Sequence, residues 1–176
     1  MARRIPPPVD LAAFANEHLS YEANMFAMTR DRLFHGVVQV LDLNVFLESW
    51  ILHLRNLVDF FYPTNVQPDD VIALDYAPNW SSQCPPISLV LATARKRAHK
   101  ELSHLTTGRK PSSSPDKKWD FGSVSTEMKP VIDAFIPLAQ PGTLPSETVT
   151  ALNAVGSIPT ALLVIAGKAV FGSSQP

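Results

Sequence analysis

The sequence predicts an all-α protein, a helical bundle of four to five helices. Apolar residues recur at steps of three and four along most of the 176-residue chain, and no segment alternates apolar with polar residues as a strand would. The 16 prolines fall mainly between the periodic segments, where they end helices or form connections. A hydrophobic content of 45% is enough to build one core in a chain of single-domain length.

Composition excludes several classes of protein. Long apolar runs and nine phenylalanines exclude a wholly disordered or collagen-like chain. The single cysteine, Cys84, cannot form an internal disulfide, which favours a reducing compartment. Arg3 and Arg4 are followed by Ile5 and three prolines rather than by the apolar core of a signal peptide, so we expect a cytoplasmic protein.

The N-terminal region divides into an arm and a helix. Residues 1–9 are rich in proline and predict a flexible arm, whereas residues 10–138 predict the bundle domain. Asp10 is a suitable N-cap for a first helix that ends near Gly36. The predicted buried face of this helix consists of residues at helical spacing: Leu11, Phe14, His18, Tyr21, Met25 and Met28.

A second helix is predicted over residues 42–62 and ends at Pro63. Its predicted buried face is the most regular in the chain and consists of Leu47, Ile51, Leu54, Val58 and Phe61. Five prolines in residues 63–86 then predict a long connection with at most one helical turn, around residues 69–74.

A third helix is predicted over residues 87–106, because Pro85 and Pro86 suit a helix start. Its core stripe consists of Ile87, Leu91, Ala94, Ala98, Leu102 and Leu105. A polar loop follows over residues 107–118, and a fourth helix is predicted over residues 124–138.

The last part of the chain, residues 139–176, predicts a linker followed by an apolar C-terminal helix. Gly156 and Pro159 interrupt the apolar pattern of this helix. Its apolar run is shorter than the ~20 residues that cross a bilayer, so we expect no membrane span.

Polar residues border the core stripes of the second and third helices. At about 100° per residue, one edge of each helix carries three of them. The two sets are Glu48, Arg55 and Asp59 on the second helix and Arg97, Glu101 and His104 on the third. The two edges face one another if the helices pack antiparallel, and we then expect a single site. The alternative is a structural ion-pair network at the rim of the core.

Basic residues are concentrated in residues 95–118, which contain eight Lys and Arg and two acidic residues, a net charge of +6 in a chain of net charge -1. Cationic segments of this kind bind phosphates, with an affinity that falls as salt rises. Lys100, Arg109 and Lys110 are therefore further candidates for ligand contacts. The alternative is solvated loop charge, or attraction between oppositely charged parts of the molecule.

Arg97 and His104, separated by six residues in the helical segment RAHKELSH, resemble the Arg-x(4–6)-His motif of HEPN domains. That family consists of helical bundles, often dimeric, and many members are metal-independent ribonucleases. The resemblance implies that Arg97 neutralises the scissile phosphate and that His104 acts as an acid or base, with Glu101 in support. The residue after Arg97 is Ala98, where the family commonly has a polar residue.

A wider resemblance covers residues 10–138. The segments LESWILHLRNLVDFFYP, HKELSHLT and KKWDF look like those of small bacterial helical-bundle proteins without an assigned activity. This resemblance implies a shared helical domain and no particular chemistry.

The sequence therefore favours a helical domain that binds RNA or another phosphate-bearing ligand, with ribonuclease activity and a homodimer implied by the HEPN resemblance. One alternative is a non-catalytic protein-interaction or structural bundle. Another is a small-molecule enzyme with Glu48, Arg55, Asp59 and His104 around a pocket. The chain has no His-Glu-x-x-His, Walker or Gly-x-Gly-x-x-Gly motif, and we expect no metal and no cofactor.

Overall fold

The all-α prediction is confirmed by the computed structural model, which describes residues 10–35, 40–103 and 118–157. Within these ranges all regular secondary structure is helical. The helices are α1 (Leu11–Phe14), α2 (Ser20–His35), α3 (Val40–Phe61), α4 (Ala73–Tyr76), α5 (Trp80–Gln83), α6 (Leu89–Ser103), α7 (Phe121–Leu138) and α8 (Ser146–Gly156). The predicted arm, the predicted end of the first helix at Gly36 and the residues after Ser157 lie outside the described ranges.

The predicted N-cap of the first helix is confirmed. Asp10 Oδ1 accepts hydrogen bonds from the backbone N–H groups of Ala12 and Ala13 at 3.0 and 3.1 Å. These two groups have no acceptor within the helix, and the carboxylate also suits the positive end of the helix dipole.

A π-helical segment, Ala15–Leu19, joins α1 to α2 without a break in the helix. The Ser20 hydroxyl that follows it donates to the carbonyl oxygen of Ala15 and lies 2.8 Å from the hydroxyl of Thr148 on α8. Both hydroxyl side chains are buried, so each satisfies the other in the core.

The predicted buried face of the first helix is wrong at three of its six positions, whereas Leu11, Phe14 and Met25 are partly buried. Tyr21 and Met28 are 54% and 48% exposed, and His18 is also exposed. The side chains that are buried instead are Ala15, Leu19, Ala23, Phe26, Ala27 and Leu33. These positions include large side chains as well as alanines. Helix α2 packs against both α3 and α8, and its alanines allow such neighbours to approach closely.

The predicted face of α3 is confirmed, because Leu47, Ile51, Leu54, Val58 and Phe61 are all buried. Trp50 lies among these residues with no exposed surface. Its ring packs at centroid distances of 4.7 to 5.5 Å against three aromatic rings: Phe26, Trp119 and Phe121. The bundle core is therefore centred on α3.

The connection between α3 and α6 contains α4 and α5, so the prediction of at most one turn, around residues 69–74, is wrong. Buried side chains explain the difference, since Tyr76 and Trp80 are almost completely inaccessible to solvent. Three donors attach the connection to the bundle: Tyr62 Oη to Pro85 O, Tyr76 Oη to Leu11 O and Trp80 Nε1 to Phe61 O, at 2.8 to 3.0 Å.

Helix α6 begins two residues later than predicted, and α7 begins at Phe121, three residues earlier than predicted. The start of α7 is explained by Asp120, which accepts hydrogen bonds from the backbone N–H and hydroxyl of Ser123. Pro130 and Pro137 lie inside α7, and both are exposed.

Helix α8 packs into the same core, to which it contributes Ala151, Leu152 and Val155. Its last residue, Gly156, lies so close to α7 that an added Cβ would be 2.9 Å from Lys129 Cβ. None of the helices in the described ranges combines the length and the hydropathy needed to cross a bilayer.

One buried cation joins α2 to α7 and α8. The Arg30 side chain is 2% exposed, and its Nε donates to Asp31 Oδ1 at 2.8 Å. Its Nη1 donates to Ser125 Oγ and to the carbonyl oxygens of Ala154 and Val155 at 2.9 to 3.2 Å. The guanidinium group therefore satisfies carbonyl groups at the C-terminal end of α8, where a positive charge is favourable.

We predict that Arg30→Met lowers the free energy of unfolding by about 3 kcal/mol, because it leaves buried acceptors without a donor. Chemical denaturation followed by circular dichroism measures the change. Arg32→Met is the matched control, since Arg32 is exposed on the same helix and its replacement should cost about 0.5 kcal/mol or less. Equal losses in the two variants would contradict this account of Arg30.

The tyrosines of the connection predict a loss of stability at alkaline pH. Burial raises the pKa of Tyr62 and of Tyr76, with smaller contributions from Cys84 and from Asp75 and Asp10 respectively. Unfolded tyrosine loses its proton near pH ~10, whereas these folded groups retain theirs. Above that pH the unfolded state binds fewer protons, so the free energy of unfolding falls as pH rises.

For Tyr76 this slope approaches about 1.4 kcal/mol per pH unit above pH ~10. Denaturation at about pH 9 and about pH 11 measures how far the free energy of unfolding falls between the two pH values. This fall should be smaller for Tyr76→Phe than for the wild type. Tyr21→Phe makes the same chemical change at a ring that is 54% exposed, and it should leave the loss unchanged. A slope that is insensitive to Tyr76→Phe would refute the prediction.

Candidate functional site

The described ranges include only some of the residues predicted to form a site. His104, Arg109 and Lys110 lie outside them, and the side chain of Glu101 is also outside the description. Glu48 and Lys100 lie on α3 and α6, and both side chains are exposed.

Arg97 lies against the segment just before α7 rather than beside Arg55. Its guanidinium carbon is 4.0 Å from the centroid of the Trp119 ring, and its Nη1 donates to the carbonyl oxygen of Lys118 at 2.9 Å. Trp119 is buried, so Arg97 covers the face of a core aromatic residue. The structure therefore does not bring Arg97 to the edge of α3 that carries Arg55 and Asp59.

Two other residues of α6 approach that edge. Arg95 Nη2 lies 2.6 Å from Asp59 Oδ1, and His99 Nε2 lies 3.6 Å from Asp59 Oδ2. Arg55, one turn before Asp59, places its Nε 3.6 Å from the same Oδ2. These four residues, Arg55, Asp59, Arg95 and His99, are called the Asp59 cluster below.

The geometry of α6 explains why Arg95, and not the predicted Arg97, lies beside Asp59. Positions 95 and 97 lie about 200° apart around a helix, so the two side chains point to different neighbours. Arg95 and His99 are four residues apart and share one face. The sequence contains a signal for this contact. Arg95 and His99 share one face of their helix, and the preceding long helix carries the acidic Asp59 with which they can pair.

A cleft of about 410 Å³ opens beside the Asp59 cluster. It is lined by residues of α3, of α6 and of the connection after α3, including Asn56, Phe60, Thr64, Asn65, Gln67, Asp70, Val71 and Ile72. All four residues of the cluster are part of this lining. Of the residues named for a small-molecule pocket, Arg55 and Asp59 line the cleft, Glu48 is not part of the lining, and His104 lies outside the described residues.

The electrostatics of the cleft are set by two guanidinium groups and two carboxylates. Arg95 also donates to Thr64 Oγ1 at 2.8 Å, and its side chain is 15% exposed, compared with 32% for Asp59. Asp70 accepts a hydrogen bond from the backbone N–H of Gln67 at 2.6 Å. The formal charges of these four groups balance.

A second polar cluster lies next to the cleft. His53 Nδ1 is 2.7 Å from Glu22 Oε2, and Asn56 Nδ2 donates to the same oxygen at 3.1 Å. The His53 side chain is 5% exposed, so helix α2 covers it through Glu22. Glu22 therefore holds the Asn56 side chain in place beside the cleft, and we interpret its contacts with His53 and Asn56 as structural support.

Burial raises the pKa of the Cys84 thiol, against an opposing effect of its contact with Tyr62. Among the residues that the structure describes, no group of three or more His, Cys, Asp or Glu side chains is placed to hold a metal ion.

The chain was compared with protein-family models, with curated proteins and with solved structures, and none of the three comparisons finds a match.

Proposed function

We propose that this protein binds a phosphate-bearing ligand in the cleft, with Arg55 and Arg95 contacting the phosphate. The observation that carries the proposal is the convergence of two guanidinium groups, from two helices, on one side of an open cleft. Guanidinium groups present several donors in a fixed plane, which matches the oxygens of a phosphate.

The remaining lining suits the rest of such a ligand. Thr64, Asn65 and Gln67 supply hydroxyl and amide groups, and Pro63 and Val71 supply partly exposed apolar surface. Most of the lining residues are polar or charged, which suits a strongly polar ligand, and a volume of about 410 Å³ is within the usual range of small-molecule sites.

Long-range attraction also favours an anionic ligand. Lys96 and Lys100 are exposed on α6, the helix that supplies Arg95 and His99 to the cleft. They belong to the segment with a net charge of +6, residues 95–118. A positive potential raises the local concentration of anions and weakens as the salt concentration rises.

RNA and a free nucleotide carry the same phosphate group. Titrations with inorganic phosphate, with a mononucleotide and with a short single-stranded RNA, each at low and at physiological salt, distinguish these sources. A mononucleotide that binds as tightly as RNA identifies a small ligand. An RNA affinity that is higher and steeply dependent on salt identifies a nucleic acid.

The ribonuclease activity implied by the HEPN resemblance is a further proposal, and it depends on Arg97 and His104. The basic segment supports it, since a substrate with several phosphates would contact several cations. Incubation of RNA with the wild type and with His104→Ala tests it. Cleavage by the wild type alone supports the activity, and intact RNA with both proteins contradicts it.

We predict that Arg95→Met weakens the binding of a mononucleotide at least about tenfold, because one charge-assisted contact is lost. Isothermal titration calorimetry measures the change, and the thermal midpoint of each variant shows that it is folded. Lys96→Met is the matched control, because it removes the same charge from the next residue of α6, whose side chain is exposed. Equal weakening by the two substitutions, or no binding by the wild type, would contradict the proposed site.

A further inference from the structure

We infer that Asp59 is an internal competitor of the ligand: its carboxylate occupies the anion position of the cleft, and the ligand phosphate binds by displacing it. The inference rests on the proposed phosphate-binding function. It concerns how the affinity of that site is set.

The position of Asp59 relative to its neighbours supports this role. Its two oxygens face Arg95 at 2.6 Å and both Arg55 and His99 at 3.6 Å. These three side chains are the basic groups that line the cleft. A carboxylate and a phosphate compete for the same guanidinium donors, so both cannot be fully bound to them at once.

The surroundings of Asp59 allow the exchange. The side chain is 32% exposed and lines the cleft, whereas the adjacent Val58 and Phe60 are buried in the core. The carboxylate can therefore turn toward solvent while the backbone of α3 stays in place. The other carboxylate of the lining, Asp70, accepts the Gln67 N–H and has no described ion pair with the cluster.

Charge decides which anion occupies the position. A phosphate monoester carries about -1.5 to -2 charges at pH 7 and three acceptor oxygens, compared with one charge and two oxygens for Asp59. The displaced carboxylate remains near the bound phosphate and repels it. The wild-type site should therefore select doubly charged phosphates over singly charged carboxylates, at some cost in affinity.

The test compares inorganic phosphate binding by the wild type and by Asp59→Asn, using calorimetry and the thermal midpoint. We expect Asp59→Asn to have a lower midpoint without phosphate, a larger rise on adding phosphate, and about tenfold tighter binding. Asp133→Asn is the matched control, because it removes a carboxylate from an exposed pair with Lys129 on α7. It should change neither the affinity nor the response to phosphate.

The outcomes separate the inference from the proposed function. If the wild type binds phosphate and Asp59→Asn binds it equally tightly or more weakly, the inference is overturned and the proposed function stands. If the wild type does not bind phosphate, both the function and the inference are overturned, whether or not Asp59→Asn binds it. If Asp59→Asn is unfolded in phosphate-free buffer, refolding on addition of phosphate supports the inference, and failure to refold overturns it.

Discussion

The ion pair between Arg95 and Asp59 joins α6 to α3 at the cleft, and the functional account depends on it. The Arg95 side chain is 15% exposed, and Thr64 Oγ1 accepts a hydrogen bond from the same guanidinium group. Removing charges from water carries a cost that such partners must offset. In the structure without ligand, the contact therefore holds the Arg95 guanidinium group at the cleft until a phosphate takes the place of the carboxylate.

The rest of the bundle makes that geometry rigid. Helix α3, which carries Arg55 and Asp59, is packed through Trp50 against three aromatic residues, one on α2 and two at or just before the start of α7. Arg30 holds the end of α8 against α2 and α7 through buried hydrogen bonds. A site built on well-packed helices positions its side chains more accurately than one built on loops.

Sequence reasoning predicted the fold class, the buried face of α3 and the edge that carries Arg55 and Asp59. These predictions succeeded because large aliphatic residues at helical spacing identify a face without knowledge of its neighbours. The face of α2 was missed because alanines such as Ala23 are buried through close helix packing, which hydropathy does not indicate. Arg95 was missed in favour of Arg97 because the spacing of residues does not show which side of α6 meets α3.

The most direct test is a phosphate titration of isotope-labelled protein, followed by the side-chain NMR signals of its arginines and histidines. The account predicts that the Arg55 and Arg95 Nε–H signals and the His99 ring signals shift together, with one saturation curve. Arg30 and Arg97, whose described contacts are with the core and with Trp119, should not shift. Shifts confined to Arg97, or no shift of the Asp59 cluster at saturating phosphate, would contradict the account.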